Sequence, residues 1–210
     1  MSVRDAYLVA ARSARDLVAG PAVEAAWERP SALAGMSVGA LACHLGGQLV
    51  SVRELVAAPP QGEVIPLLGH YERARWVTAA PDDEVNVGIR ESAEGNAADG
   101  HAALVGRLDD ALGVLPGLLA DQDPGRPVLI PWQGWALTLD DFLVTRMMEI
   151  AVHSDDLAVS VDLAPPALPE EVLAPVLTLL SLVAVRRHGQ SAVLSALSRA
   201  ERAPDRINAF

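Results

Sequence analysis

Four ionisable residues share one face of an otherwise apolar segment near residue 150. They follow one another at spacings of three, four and three residues: Arg146, Glu149, His153 and Asp156. This spacing places them along one side of an α-helix. Their neighbours on either side are apolar, namely Phe142, Leu143, Met147, Ile150, Val152, Leu157 and Val159. Because unpaired burial of charge is costly, the pattern predicts a helix packed against others, whose charges are paired or bind a metal ion or a ligand.

Helical spacing of apolar residues recurs along most of the chain, between Gly and Pro residues that end each segment. The predicted helices span residues 2–19, 37–58 with Ser37 as N-cap, 66–79, 83–121, 139–161 with Thr138 as N-cap, 170–187 and 191–199. Residues 128–139 predict a short hairpin or an ordered loop. The fold class is therefore all-α: a four-helix bundle with additional C-terminal helices. We expect residues 1–168 to form the bundle and residues 169–210 to pack on it, as one domain overall.

Charge and composition indicate a globular protein and argue against a nucleic-acid-binding one. The chain has 210 residues, 51% of them hydrophobic, which is enough for a sizeable core. Its sixteen basic residues are all Arg and face 27 acids, for a net charge of −11. We therefore expect no nucleic-acid partner, because phosphate binding needs a basic surface.

Cysteine content and hydropathy predict the compartment. The single cysteine, Cys43, allows no internal disulfide. The first residues lack a signal-peptide layout, and the longest apolar run, 172–185, is shorter than the roughly 20 residues that span a bilayer. We expect no membrane association and a cytoplasmic protein.

Glu149 and His153 lie one helical turn apart, so an oxygen of one and a nitrogen of the other can reach a single ion. His44 is the best third ligand, because small or polar neighbours leave room beside its ring in the helix over 37–58. One Glu and two His suit a divalent transition ion, and three protein ligands leave a position open for water or substrate, as in catalytic zinc sites.

A structural alternative stays open from the residues alone. The four ionisable residues from Arg146 to Asp156 would then form a buried ion-pair network that fixes helix packing. The apolar helix over 172–185 would form a homodimer. This alternative predicts no bound metal.

Four segments together resemble a known family: Trp27-Glu-Arg-Pro-Ser31, Met36-Ser-Val-Gly-Ala-Leu-Ala-Cys-His-Leu45, Arg146-Met-Met-Glu-Ile-Ala-Val-His-Ser-Asp-Asp-Leu157 and Arg187-His-Gly189. They are similar to the mycothiol-dependent maleylpyruvate isomerase family, within the DinB-like four-helix bundles. The resemblance implies a divalent metal, usually zinc, held by His44, Glu149 and His153. Nickel or another divalent ion is the alternative.

The resemblance also implies mycothiol, a low-molecular-weight thiol, as cofactor or cosubstrate in isomerisation or S-transfer. A metal ion would ionise the thiol and make it nucleophilic. Only about forty residues follow the bundle, fewer than the C-terminal domain of the full-length isomerase needs. We therefore expect a related thiol transfer, or an isomerisation of another small electrophilic substrate, rather than maleylpyruvate isomerisation. The alternative is a non-catalytic metal- and thiol-binding protein with a stress or regulatory role.

Further residues have expected roles around this site. Asp156 would orient an imidazole by accepting its second N–H, and Gln48 would support the ligands or the cofactor. Arg146 would bind a substrate carboxylate or pair with Glu149 or Asp156.

The remaining candidates are weaker. Trp132 and Trp135 would wall a ligand pocket or pack in the core. Cys43 is expected to be a small buried thiol, and His101 a satisfied or exposed histidine rather than a ligand. No role is predicted for His70 or His188.

Overall fold

A computed structural model describes residues 1–77, 79–80 and 82–210 of the chain. In that part it contains nine α-helices and one two-stranded sheet. In chain order these are α1 (Val3–Val18), α2 (Pro21–Ala25), α3 (Val38–Ala57), α4 (Leu67–Arg73), α5 (Glu84–Ala97), α6 (His101–Ala120), β1 (Pro127–Ile130), β2 (Trp135–Thr138), α7 (Leu139–Ser160), α8 (Glu170–His188) and α9 (Gln190–Ser198). The all-α fold class is confirmed.

Four long helices form the bundle. Helices α1 and α3 each pack against both α6 and α7, so the four enclose one core. Its fully buried large side chains include Leu41, Leu45, Leu49, Leu108, Leu115, Phe142 and Leu143. The predicted N-caps are present, since Ser37 accepts a hydrogen bond from Ala40 N and Thr138 accepts one from Asp141 N. These caps fix where the two site-bearing helices, α3 and α7, begin.

The predicted single helix over 83–121 is wrong, because it is two helices. The chain breaks at Gly100, whose φ of +84° lies in the region that favours glycine. Helix α5 packs on α3, and α6 alone joins the bundle. The end of α5 is held by Trp27, whose indole N–H donates to Ala97 O at 3.1 Å.

The predicted helix over 66–79 is shorter than expected. Helix α4 ends at Arg73, and a 3₁₀ turn follows over Arg75–Val77. Thr78, near the predicted end, and Pro81, which follows the predicted range, lie outside the described residues.

Strands β1 and β2 form an antiparallel hairpin, which decides between the two predicted states of residues 128–139. The outer edge of β2 also pairs with the chain just before α4. Ala136 N donates to Glu63 O at 2.9 Å, and Ile65 N donates to Ala136 O at 3.0 Å. This pairing holds α4 beside the hairpin, at the start of α7.

Helix α8 packs on α7 and α1, and α9 packs on α8. The end of the chain returns to α4, where the Phe210 ring stacks on Tyr71 with centroids 5.7 Å apart. The division at residue 168 stays a prediction. Several large apolar side chains of α8 and α9 are exposed, namely Leu173, Leu177, Leu182, Leu194 and Leu197. A homodimer through this surface also stays a prediction.

None of the helices in residues 1–77, 79–80 and 82–210 combines the length and the apolar character needed to cross a membrane.

Two glycine substitutions test the packing of α3. A Cβ at Gly39 would lie 2.6 Å from Cε2 of the Trp27 ring, which its hydrogen bond to Ala97 holds in place. We expect Gly39→Ala to lower the free energy of unfolding by about 1–3 kcal/mol, as overpacking does. Gly106→Ala in α6 is the matched control, since its Cβ would meet nothing within 4 Å and should raise stability by about 0.5–1 kcal/mol. Urea unfolding followed by circular dichroism measures both, and equal changes in the two variants would contradict this packing.

Candidate metal centre

Three side chains from two packed helices converge near the middle of the bundle. Helix α3 contributes His44, and α7 contributes Glu149 and His153. One potential ligand atom from each residue lies within 4.8 Å of the other two. The structure thus brings together the three residues predicted to bind a metal.

The carboxylate of Glu149 lies between the two imidazoles. Its Oε2 is 3.2 Å from Nε2 of His153 and 3.7 Å from Nε2 of His44. The two rings meet edge to face with centroids 4.7 Å apart. Side-chain exposure is 15% for Glu149, 14% for His153 and 25% for His44, so the cluster is mostly buried and opens to solvent on the His44 side.

Asp156 makes the contact predicted for it. Its Oδ2 lies 3.0 Å from Nδ1 of His153. A carboxylate at Nδ1 keeps a proton on that nitrogen, so the lone pair of a neutral ring is on Nε2, the atom that faces Glu149. The contact thereby favours the tautomer whose Nε2 can bind a metal ion.

Charge is strongly coupled within this cluster. Burial raises the pKa of Glu149, but hydrogen bonds with His153 and His44 outweigh it and hold that pKa well below its usual range. Burial lowers the pKa of His153, but hydrogen bonds to Asp156 and Glu149 outweigh it and raise that pKa to about 9. Without a metal ion, His153 is therefore an imidazolium between two carboxylates at neutral pH.

The donor set fits a divalent transition ion. Ligand bonds of about 2.0–2.2 Å in a tetrahedral site place the ligand atoms about 3.3–3.6 Å apart. The 3.2 and 3.7 Å separations lie close to these values. A divalent ion would also replace the His153 proton as the positive charge facing Glu149, and would add one further positive charge to a site that holds two carboxylates.

Arg146 and Gln48 contact each other rather than the acids. Arg146 Nη1 donates to Gln48 Oε1 at 2.7 Å, and Gln48 Nε2 donates to His44 O at 3.0 Å. Within the described residues Arg146 forms no ion pair with Glu149 or Asp156, so the alternative in which it pairs with them is wrong, and binding of a substrate carboxylate by Arg146 stays a prediction. Gln48 has both ends of its amide engaged and supports the backbone at His44. Binding of a cofactor by Gln48 stays a prediction.

The two predicted tryptophans lie in different surroundings. Trp132 is at the turn of the hairpin with 62% of its surface exposed, so core packing is wrong for it, and cofactor binding by Trp132 stays a prediction. Trp135 is partly buried, and its indole N–H donates to Nδ1 of His70 at 3.1 Å. His70 is buried, with 3% exposed, and the charges of both Arg146 and Glu149 affect its pKa.

Sequence reasoning missed His70. It lies on a seven-residue helix with no repeating pattern, and the hydrogen bond to Trp135 joins segments 65 residues apart. No spacing in the sequence indicates such a contact.

Cys43 and His101 lie apart from the cluster of His44, Glu149 and His153. Cys43 is buried, and burial raises the pKa of its thiol to about 11, as expected for an unreactive cysteine. Nε2 of His101 lies 2.8 Å from Val18 O, which makes it a satisfied histidine as predicted.

Comparison with known families shows the family of this chain. Residues 8–158 match the family described as the mycothiol maleylpyruvate isomerase N-terminal domain. The match covers well over half of the chain, and the chain belongs to this family. It includes the bundle helices that carry His44, Glu149 and His153. No curated protein and no solved structure matches the chain.

Metal content tests the three ligands. We expect near one equivalent of divalent metal per chain in protein purified without a His-tag or chelator, because three ligand atoms converge. His44→Ala and Glu149→Ala should each lose it, since two ligands bind a divalent ion weakly. Inductively coupled plasma mass spectrometry gives the content, with folding checked by circular dichroism. His101→Gln is the matched control and should keep the metal. Absence of metal after reconstitution would contradict the site.

Metal affinity should depend on pH through His153. The ring carries a proton below a pKa of about 9, and this proton must leave before Nε2 can bind an ion. The apparent association constant should therefore rise about tenfold per pH unit from pH 7 and level off near pH 9. Calorimetric titrations in two buffers of different ionisation enthalpy count the released protons. An affinity independent of pH over this range would show that His153 is not a ligand.

Proposed function

We propose that this protein is a metal-dependent enzyme that uses mycothiol to transfer sulfur to, or isomerise, a small electrophilic substrate. The observation that carries the proposal is the convergence of His44, Glu149 and His153 within 4.8 Å on two packed helices. The chain belongs to the family of the mycothiol maleylpyruvate isomerase N-terminal domain, which supports mycothiol as the thiol used.

The ion would be held by Nε2 of His44, Nε2 of His153 and the carboxylate of Glu149, with zinc as the first candidate and nickel or another divalent ion as the alternatives. A divalent ion in such a site supplies positive charge that ionises a coordinated thiol at neutral pH. Three protein ligands leave room for the thiol or a water molecule.

The chain itself sets the geometry around the ion. Asp156 fixes the tautomer of His153 through the 3.0 Å contact at Nδ1. The carboxylate of Glu149 and its neighbours are mostly buried, which keeps water away from the charged groups and strengthens their interactions.

Arg146 supplies a cation for the substrate. Its guanidinium donates to Thr145 Oγ1 and Gln48 Oε1, both uncharged acceptors, so its charge is not neutralised by an acid within the described residues. It lies one turn before Glu149 on α7. We propose that this charge binds a carboxylate of the thiol or of the substrate.

We place this activity in the cytoplasm, where a low-molecular-weight thiol stays reduced. The proposed partners are the thiol and a small electrophile, with no nucleic acid and no membrane.

Thiol-dependent turnover tests the proposal. Wild-type protein loaded with zinc, given mycothiol and a panel of small electrophiles, should consume both compounds. His153→Ala should reduce this turnover at least about a hundredfold with the fold retained, because the ion is lost. His101→Gln should keep wild-type turnover. Thiol-induced thermal stabilisation without product would instead support the alternative of a binding protein with a stress or regulatory role. Neither turnover nor stabilisation in metal-loaded protein would leave only the structural ion-pair network.

A further inference from the structure

The three candidate ligands lie on two helices, so the way α3 meets α7 decides whether they can share an ion. Glu149 and His153 are one turn apart on α7, and their contact of 3.2 Å is set within that helix. The contact between Glu149 and His44 crosses to α3 and is longer, at 3.7 Å. Metal ligands must be placed to within fractions of an ångström, so the spacing and rotation of α3 against α7 control the site.

A second polar contact joins the same two helices one turn away. Arg146 Nη1 donates to Gln48 Oε1 at 2.7 Å. Gln48 follows His44 by one turn of α3, and Arg146 precedes Glu149 by one turn of α7. Residues one turn apart are neighbours on a helix face. The hydrogen bond from Arg146 to Gln48 therefore lies directly beside the contact that an ion would have to bridge.

The arginine also decides how the Gln48 amide is oriented. A guanidinium group only donates hydrogen bonds, so the amide oxygen faces it and the amide NH₂ points the other way. That NH₂ donates to His44 O at 3.0 Å. Gln48 is only 5% exposed, and the Tyr7 hydroxyl donates to its backbone oxygen at 3.1 Å. One buried side chain thus connects Arg146 of α7 to the backbone of His44.

Arg146 is held in place by its own helix. Its Nε donates to Thr145 Oγ1 at 3.0 Å, and the Thr145 hydroxyl donates to Phe142 O at 2.7 Å. The central carbon of the guanidinium lies over the Phe142 ring, 5.4 Å from the ring centroid. The side chain is therefore oriented by α7 before it meets Gln48, so their hydrogen bond can fix the spacing of the two helices.

We propose that Gln48 and Arg146 are positioning residues of the metal centre. The hydrogen bond between them sets α3 against α7 so that His44 reaches the same ion as the two ligands of α7. This inference rests on the proposed function and deepens it, because it assigns residues that control the affinity of the site without being ligands. The contact is made without an ion, so it orders the site before a metal binds.

The competing explanation is that apolar packing alone fixes α3 against α7. Fully buried leucines lie on both helices, among them Leu45 and Leu49 of α3 and Leu143 of α7. If they set the spacing by themselves, loss of the hydrogen bond would change the stability of the fold and leave the affinity for metal as it was.

Two substitutions remove the hydrogen bond from opposite sides and keep all three ligands. Gln48→Met removes the amide and keeps a side chain of similar length. Arg146→Met removes the guanidinium and keeps an apolar stem. The second substitution also removes a positive charge from beside the site, which by electrostatics alone would favour binding of a divalent cation. A loss of metal affinity in Arg146→Met therefore has the sign that positioning predicts and the opposite of the sign that charge predicts.

Cobalt(II) is the probe, because its visible absorption reports both occupancy and coordination geometry. Titration in competition with a chelator gives the dissociation constant. We expect Gln48→Met and Arg146→Met each to bind cobalt at least about tenfold more weakly than the wild type, as the loss of groups that orient metal ligands does, with altered visible bands. The double variant should be within about threefold of the weaker single variant, because the first substitution already removes the contact.

A second readout needs no metal. Urea unfolding of the metal-free wild type, both single variants and the double variant forms a double-mutant cycle. We expect the two substitutions to be coupled by about tenfold or more in the unfolding equilibrium constant, as for a hydrogen bond to a charged group.

Leu119→Ala is the control for a general loss of stability. Leu119 is 1% exposed and lies near the end of α6, outside the contacts described above. This variant should unfold at lower urea concentration than the wild type, because it leaves a cavity, and should bind cobalt with wild-type affinity.

The outcomes separate this inference from the proposed function. Wild-type cobalt affinity and visible bands in folded Gln48→Met and Arg146→Met would overturn the positioning role alone and leave the spacing to apolar packing. Absence of coupling in the metal-free cycle would overturn it too, as would an equal loss of affinity in Leu119→Ala. Failure of the wild type to bind cobalt would overturn the proposed function and the positioning role together.

Discussion

The burial of the Glu149 carboxylate is the constraint on which the rest of the site depends. A carboxylate with 15% of its side chain exposed must find positive or hydrogen-bonding partners, and it finds them on two helices: His153 one turn further along α7 and His44 across the interface on α3. Buried ionic networks are a weak source of stability, because apolar residues of similar size often do as well or better. The chemistry that this cluster can perform is therefore a better explanation of its presence than the stability it gives the bundle.

The remainder of the bundle holds α3 and α7 in a fixed relation. At the end of α3, the Arg126 guanidinium donates hydrogen bonds to Val56 O and Ala58 O at 3.0 and 2.7 Å. At the end of α6, the Arg4 guanidinium donates to the carbonyl oxygens of Leu119 and Ala120. Behind the site, the buried Tyr7 hydroxyl donates to Gln48 O, which joins α1 to the turn of α3 that carries His44. The atoms that bind a metal ion must be positioned to within fractions of an ångström. Here they lie on helices whose ends and inner faces are held by these hydrogen bonds.

Sequence patterns predicted the parts of the site that lie within single helices and missed the parts that depend on how segments meet. The helical period of 3.6 residues places Glu149, His153 and Asp156 on one face of α7, whatever that helix packs against. Their mutual contacts could therefore be predicted. His44 could be predicted as well, because small neighbours leave space around it. By contrast, one of the two roles expected for Arg146 was pairing with an acid on its own helix, but its guanidinium donates to Gln48 of α3 instead. The break at Gly100 depends on a positive φ that apolar spacing does not reveal. The contact between His70 and Trp135 depends on the pairing of β2 with residues 63–65.

The pKa values of two buried histidines, His153 and His70, are shifted in opposite directions. His153 faces two carboxylates, which raise its pKa to about 9, so it gives up a proton only when another positive charge replaces it. Burial, with a smaller contribution from the charge of Arg146, lowers the pKa of His70 to about 4, so its ring stays neutral and keeps one N–H. Environments that separate the pKa values of neighbouring groups in this way are typical of sites where the groups have different roles. Under the proposed function the ring at position 153 would exchange its proton for an ion, whereas the ring at position 70 stays uncharged throughout the neutral range. The pH dependence expected for metal binding is therefore set by His153, because His70 does not change its charge over the same pH range.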